Sequence, residues 1–180
     1  MAQFTALDPG VEVSGAAILS TIVGLENDVT PLLEKYGITR VEPDAWYLQQ
    51  HWLDILKAIS EGRGSRVPVM DLVSIGMRIP DHALWPPDVD SIESALFSID
   101  IAYQMNHRGG RIGSYGAERT GDKHIRMVCD NPYPSDFDYG IIYRTTQKFL
   151  PEKQMFIVER ADTPSRLKGD DRCIYNVTWG

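Results

Sequence analysis

Residues 91–113 read SIESALFSIDIAYQMNHRGGRIG, and the change of pattern inside this stretch decides the fold. Up to Asn106 the apolar residues Ile92, Ala95, Leu96, Ile99, Ala102 and Tyr103 recur at i, i+3, i+4 and i+7, the signature of one buried helix face. Asp90 with Glu93 three residues on reads as a capping pair, and Gly109–Gly110 as the stop. After Gly110 the period shortens. Arg111 to Glu118 and Lys123 to Asp130 read as two strands joined across Thr120–Gly121–Asp122.

The strand pattern continues to the C-terminus. A loop rich in Pro and Asp follows Asp130, and Ser135 with Asp138 reads as the cap of a helix running to Leu150, ended by Pro151. Met155 to Arg160 is expected as a strand, as is Cys173 to Trp179, where Cys173, Tyr175, Val177 and Trp179 alternate. Upstream the grammar is helical. Ser14 is expected to cap a helix through Leu25, Thr30–Pro31 to start a second, and Asp44 to cap a third carrying Trp46, Leu53, Leu56 and Ile59. Val67 to Ile79, closed by Pro80, is a fourth helical piece. The expected fold is α+β: a helical layer over residues 1–110, then ββαββ over 111–180 with a four-stranded antiparallel sheet. One domain of 180 residues accommodates both halves.

Charge and composition narrow the function. Lys and Arg number 18 against 25 Asp and Glu, a net charge of −7, which disfavours a nucleic-acid or anionic-lipid partner. No run approaches the roughly 20 apolar residues of a membrane span, and the first basic residue is Lys35, so a secretory leader is not expected. Two cysteines, Cys129 and Cys173, make no disulfide framework. The expectation is a cytoplasmic protein whose thiols are structural.

The segment Phe137–Asp138–Tyr139–Gly140–Ile141–Ile142–Tyr143, then Phe156–Ile157–Val158–Glu159, then Gly169 and Cys173–Ile174–Tyr175–Asn176–Val177 resembles the C-terminal half of the 4-vinyl reductase domain family. That family belongs to a wider group with haem nitric-oxide/oxygen-binding sensors, sensory domains of activators of aromatic catabolism and TRAPP-type trafficking subunits. The resemblance implies a small-molecule-binding module with helices preceding ββαββ. Two departures matter. Ser165 stands where relatives carry a cysteine, which removes support for a metal site. The haem sensors hold propionates with a Tyr-x-Ser-x-Arg motif, and no such pattern is read here.

The chemistry-bearing residues are weighed individually. No two of His51, His82, His107 and His124 stand three or four apart on a helix, so no local zinc pair exists. His107, at the end of the strongest helix, reads first as a protonated cap on the helix dipole. Gly109–Gly110–Arg111–Ile112–Gly113 follows a helix rather than preceding one, so it is no phosphate loop. Asp136 and Asp138 read as helix-start residues. Tyr133, held between Pro132 and Pro134, is a stiff aromatic suited to a cavity wall.

The reading that follows is a small-molecule binding or sensor domain without catalytic machinery of its own, enclosing an apolar cavity between helical layer and sheet. Its expected ligand-binding residues are Tyr103, His107, Tyr133, Tyr139 and Tyr143, with no catalytic and no metal-binding residue. Its expected partners are a small hydrophobic molecule, a second copy of the chain met through the N-terminal helices, and a signalling protein. No cofactor is expected; haem enters only through His107, without a supporting motif. The alternatives are an enzyme or accessory factor of tetrapyrrole metabolism, and a haem-based gas sensor.

Overall fold

The computed structural model describes residues 3–62 and 72–180. In chain order the elements are β1 (Glu12–Ser14), α1 (Gly15–Ile22), α2 (Glu26–Glu34), β2 (Trp46–Leu48), α3 (Gln49–Ser60), α4 (Leu72–His82), α5 (Ile92–Met105), β3 (His107–Arg108), β4 (Ser114–Gly121), β5 (His124–Asp130), α6 (Ser135–Lys148), β6 (Phe156–Arg160) and β7 (Cys173–Trp179). The α+β class and the antiparallel four-stranded sheet follow the sequence reading. Its order is β4-β5-β7-β6, and every neighbouring pair is antiparallel.

One face of this sheet is buried. Ile125, Met127 and Cys129 on β5 and Cys173, Tyr175 and Val177 on β7 are fully excluded from solvent, as two-residue alternation demands when only one face is covered. Helix α6 supplies the cover. Tyr139 packs on Tyr175 with ring centroids 6.2 Å apart, and Tyr143 on Phe156 at 4.9 Å. The other side of α6 meets α4 at a close crossing. A Cβ on Gly76 would lie 2.2 Å from the carbonyl oxygen of Phe137, and one on Gly140 2.1 Å from that of Val73. Only glycine lets the two backbones approach this far.

Several boundaries differ from expectation for local reasons. Ser14 caps α1 as expected, accepting a bond from the Ala17 amide at 3.1 Å. Helix α2 begins at Glu26 rather than Thr30–Pro31, and Pro31 sits within it. Thr30 is no cap, since its Oγ1 donates back to the Glu26 carbonyl at 2.6 Å. Asp44 caps nothing, because Trp46–Leu48 forms β2 and the third helix starts only at Gln49. Helix α5 is capped by a reciprocal Ser91–Ser94 box instead of Asp90 with Glu93. Helix α4 runs through Pro80 to His82, and the first part of the expected 67–79 helix lies outside the described residues.

A second, small sheet was not expected. β1 pairs antiparallel with β2 and with β3, in the order β2-β1-β3. Val13 stands opposite Tyr47 on one side and His107 on the other. This sheet fastens the N-terminal helices to the end of α5. No helix among the described residues is long and apolar enough to cross a membrane.

Candidate functional site

A cavity of about 360 Å³ opens among the helices, within the size range of small-molecule and cofactor sites. Its walls are Val13, Ala17 and Thr21 from β1 and α1, Ile79, Pro80, Ala83 to Pro86, Asp88 and Val89 around and after the end of α4, the Ile99–Tyr103 side of α5, and Phe137, Ile141 and Thr145 of α6. From the four-stranded sheet only Tyr115 reaches it. The expected position, between helical layer and sheet, is therefore corrected: α6 stands between the two.

At one end of the cavity lies His107. It is not a helix cap but part of β3, 8% exposed. Nδ1 lies 2.8 Å from the Tyr103 carbonyl oxygen and Nε2 2.8 Å from the Tyr133 hydroxyl. A carbonyl only accepts, so Nδ1 carries the proton, and Nε2 accepts from Tyr133. Burial brings the His107 pKa down to about 4, against a smaller upward pull from the Tyr103 carbonyl. The ring is neutral at physiological pH, which overturns the protonated-cap reading.

Two further polar groups complete this end. The Tyr103 hydroxyl donates to the Ile112 carbonyl, and its ring packs 4.2 Å from the His107 ring. Gln49 is completely buried, yet neither its Nε2 nor its Oε1 has a hydrogen-bond partner. It lies beside the Tyr103 and Tyr133 hydroxyls. Nothing in the sequence marks Gln49, because its neighbours across the β1–β2 pairing lie far away along the chain.

A second buried cluster, charged rather than neutral, lies on the sheet side of α6. Asp138 accepts from Arg166 and, at 2.6 Å, from the Tyr115 hydroxyl. Arg166 also donates to the Asn131 carbonyl, and its amide donates to the Cys173 sulfur at 3.3 Å. Both charged side chains are essentially inaccessible. Burial pushes the Asp138 carboxyl up, against the pull of Arg166. Asp138 is thus an ion-pair partner and not a helix cap, while Asp136 pairs with Arg160 at 2.8 Å. Cys129 and Cys173 stand opposite one another on β5 and β7, both buried and free, and burial pushes the Cys129 thiol up.

Of the five expected ligand-binding residues, the fold gathers Tyr103, His107 and Tyr133 at the cavity. Tyr139 and Tyr143 are not among its walls; they stack on each other at 5.9 Å and face the sheet. The reason is helical phase. Phe137, Ile141 and Thr145 occupy one row of α6, and the two tyrosines fall on another.

No protein-family model and no curated protein matches the chain. Solved structures do. An H-NOX protein from S. oneidensis in the Fe(II)NO ligation state superposes with a TM-score of 0.65 at 14% identity, over 93% of this chain and 99% of that one. A mutant of the T. tengcongensis H-NOX gives 0.61 at 19%, over 92% and 94%. A structure described as probing haem distortion in the H-NOX family gives 0.64 at 18%, over 92% and 94%. The fold is that of the H-NOX domains.

The likeness is to H-NOX proteins, and none of these structures is a 4-vinyl reductase. It also corrects the expectation of a chain without cofactor, since solved structures of the H-NOX fold are described by their haem or its iron. Tyr133–Pro134–Ser135–Asp136–Phe137 keeps the Tyr and Ser of Tyr-x-Ser-x-Arg and places Phe137 at the Arg position. Phe137 lines the cavity, whereas Ser135 Oγ lies 3.0 Å from the Cys173 sulfur, backing onto β7.

Proposed function

We propose that this chain is a haem-binding domain that senses a diatomic gas, with His107 as the protein ligand to iron. The observation that carries the reading is a buried, neutral imidazole in the wall of a large apolar cavity, within the H-NOX fold. A neutral His whose other ring nitrogen donates to a backbone carbonyl is the form that ligates metals. Among the described residues no group of three or more His, Cys, Asp or Glu is gathered to hold an ion. A single imidazole suits haem, because the porphyrin brings its own equatorial nitrogens.

Bound haem would supply an iron with an open position for a small gas molecule. The chain's residues would do the rest. To ligate, His107 must give up the hydrogen bond its Nε2 accepts from Tyr133, while the Tyr103 carbonyl keeps the Nδ1 proton and the ring plane in place. Val13, Ile99, Phe137 and Ile141 supply apolar wall that excludes water.

Signalling would start at the same residue. Asn106, beside His107, accepts from the Ser14 hydroxyl at 2.5 Å and from the Ser14 amide at 2.9 Å. Ser14 is the cap of α1. A displacement of His107 therefore pulls on the N-terminus of α1, and the β1–β2 pairing carries it on toward α3. A signalling protein, or a second copy of the chain, that contacts these helices would read the change.

Haem titration into the purified chain tests the reading. One equivalent taken up with a Soret band, and loss of that band in His107→Ala, is the expected result. A chain that takes up no haem, or whose spectrum ignores His107→Ala, overturns it.

A further inference from the structure

We propose that Thr145 and Lys148 form a carboxylate-binding clamp at the end of the cavity remote from His107. Phe137, Ile141 and Thr145 follow one another at four-residue intervals along the wall of α6. At 1.5 Å per residue this row extends about 12 Å. Its first end lies beside Tyr133, which is stacked on Phe137 at 5.2 Å and bonded to His107. Its far end carries polarity without a visible task.

Thr145 is completely buried and lines the cavity, yet its Oγ1 has no hydrogen-bond partner. A helical threonine ordinarily turns its hydroxyl back to the preceding turn. Thr146 does so, donating to the Ile142 carbonyl at 2.8 Å. Thr145 leaves a donor and an acceptor over in a place that water reaches only through the cavity, and an unmet buried hydroxyl is costly.

One turn further, Lys148 Nζ donates to the Pro80 carbonyl at 2.8 Å and lies 5.8 Å from the centre of the Trp85 ring. Pro80 and Trp85 both line the cavity, so the ammonium stands at its rim. Arg144, one turn earlier on α6, pairs with a carboxylate, Asp81, at 2.7 Å. Lys148 has a carbonyl and a ring, and an ammonium carries three donors. Among the described residues lining the cavity there is no Lys or Arg, and Phe137 brings none. A ligand with an apolar body and a carboxylate at one edge would bury the body along the α6 row and meet Thr145 and Lys148 with the acid.

Two sources share that chemistry: a porphyrin propionate, which rests on the haem reading above, and the head of a long-chain fatty acid, which does not. Haem and haem dimethyl ester, palmitate and methyl palmitate are therefore titrated into the wild-type chain, Lys148→Met and Thr145→Val. For the ligand that belongs to the site, Lys148→Met is expected to weaken the free acid roughly tenfold, Thr145→Val less, and both to leave the ester unchanged. An acid–ester difference with haem supports the clamp and the haem reading together. A difference with palmitate, alongside a chain that takes up no haem, keeps the clamp and overturns the haem reading. Haem bound through His107 with acid and ester equally affected, or equally unaffected, by Lys148→Met overturns the clamp and leaves the haem reading standing. Binding of none of the four overturns both.

Discussion

Two buried polar clusters flank the start of α6, and they solve the burial of polarity in opposite ways. On the sheet side, Asp138 and Arg166 keep full charges out of water by pairing, with Tyr115 as an added donor. On the cavity side, His107, Tyr133, Tyr103 and Gln49 carry no net charge, and His107 stays neutral because burial disfavours its proton. The charged cluster binds its members to one another and ties α6 to the turn before β7. The neutral one holds a nitrogen lone pair with a single exchangeable partner, and an amide with none. Charge fixes structure here, and neutrality leaves valence for a ligand.

Breaking the charged cluster should have the largest effect. Asp138→Ala strands a buried guanidinium and is expected to cost about 3–5 kcal/mol in urea denaturation. The paired change Asp138→Leu with Arg166→Met should restore most of that loss, because an apolar pair of similar volume avoids desolvation. A single change that left stability intact would show the pair to be hydrated and the contrast misplaced.

The neutral cluster is expected to answer to pH. The folded chain without ligand holds His107 at about 4, below its ordinary 6.5, so the unfolded chain binds the extra proton. Its contribution is complete above pH 6.5, is lost as pH falls from 6.5 toward 4, and levels off below. The loss should total roughly 3 kcal/mol. His107→Phe should flatten that part of a stability–pH curve, and an unchanged slope would count against a neutral buried ring.

A smaller effect sharpens the difference in spare valence. Thr145→Val removes a buried hydroxyl without a partner and should stabilise the free chain by about 1 kcal/mol. A loss of similar size would mean that the hydroxyl is bonded in solution.

Legibility in the sequence followed the range of the interactions. Helix α5 and strand β7 were readable because each carries its own period, and β7 falls at Cys173–Trp179 as expected. The β1–β2–β3 sheet was not, since its strands span three, three and two residues and gain their pairing from segments distant along the chain. The same limit applied to the site. Tyr103, His107 and Tyr133 were recognisable as residue types worth watching, but the state of His107 depends on burial that only the assembled fold creates. Asp138 resembled a cap because it sits at a helix start; Arg166, 28 residues on, determines its role. Tyr139 and Tyr143 fall away from the cavity by a rotation about the axis of α6, which composition does not reveal.

The most direct test of the central claim replaces the imidazole and then gives it back. His107→Gly leaves a space where the ring stood, and the variant is mixed with haem in the absence and presence of free imidazole. Weak haem absorbance without imidazole and a restored Soret band with it would establish that the ring at this position holds the iron. A His107→Gly chain with the wild-type spectrum before imidazole is added would contradict it.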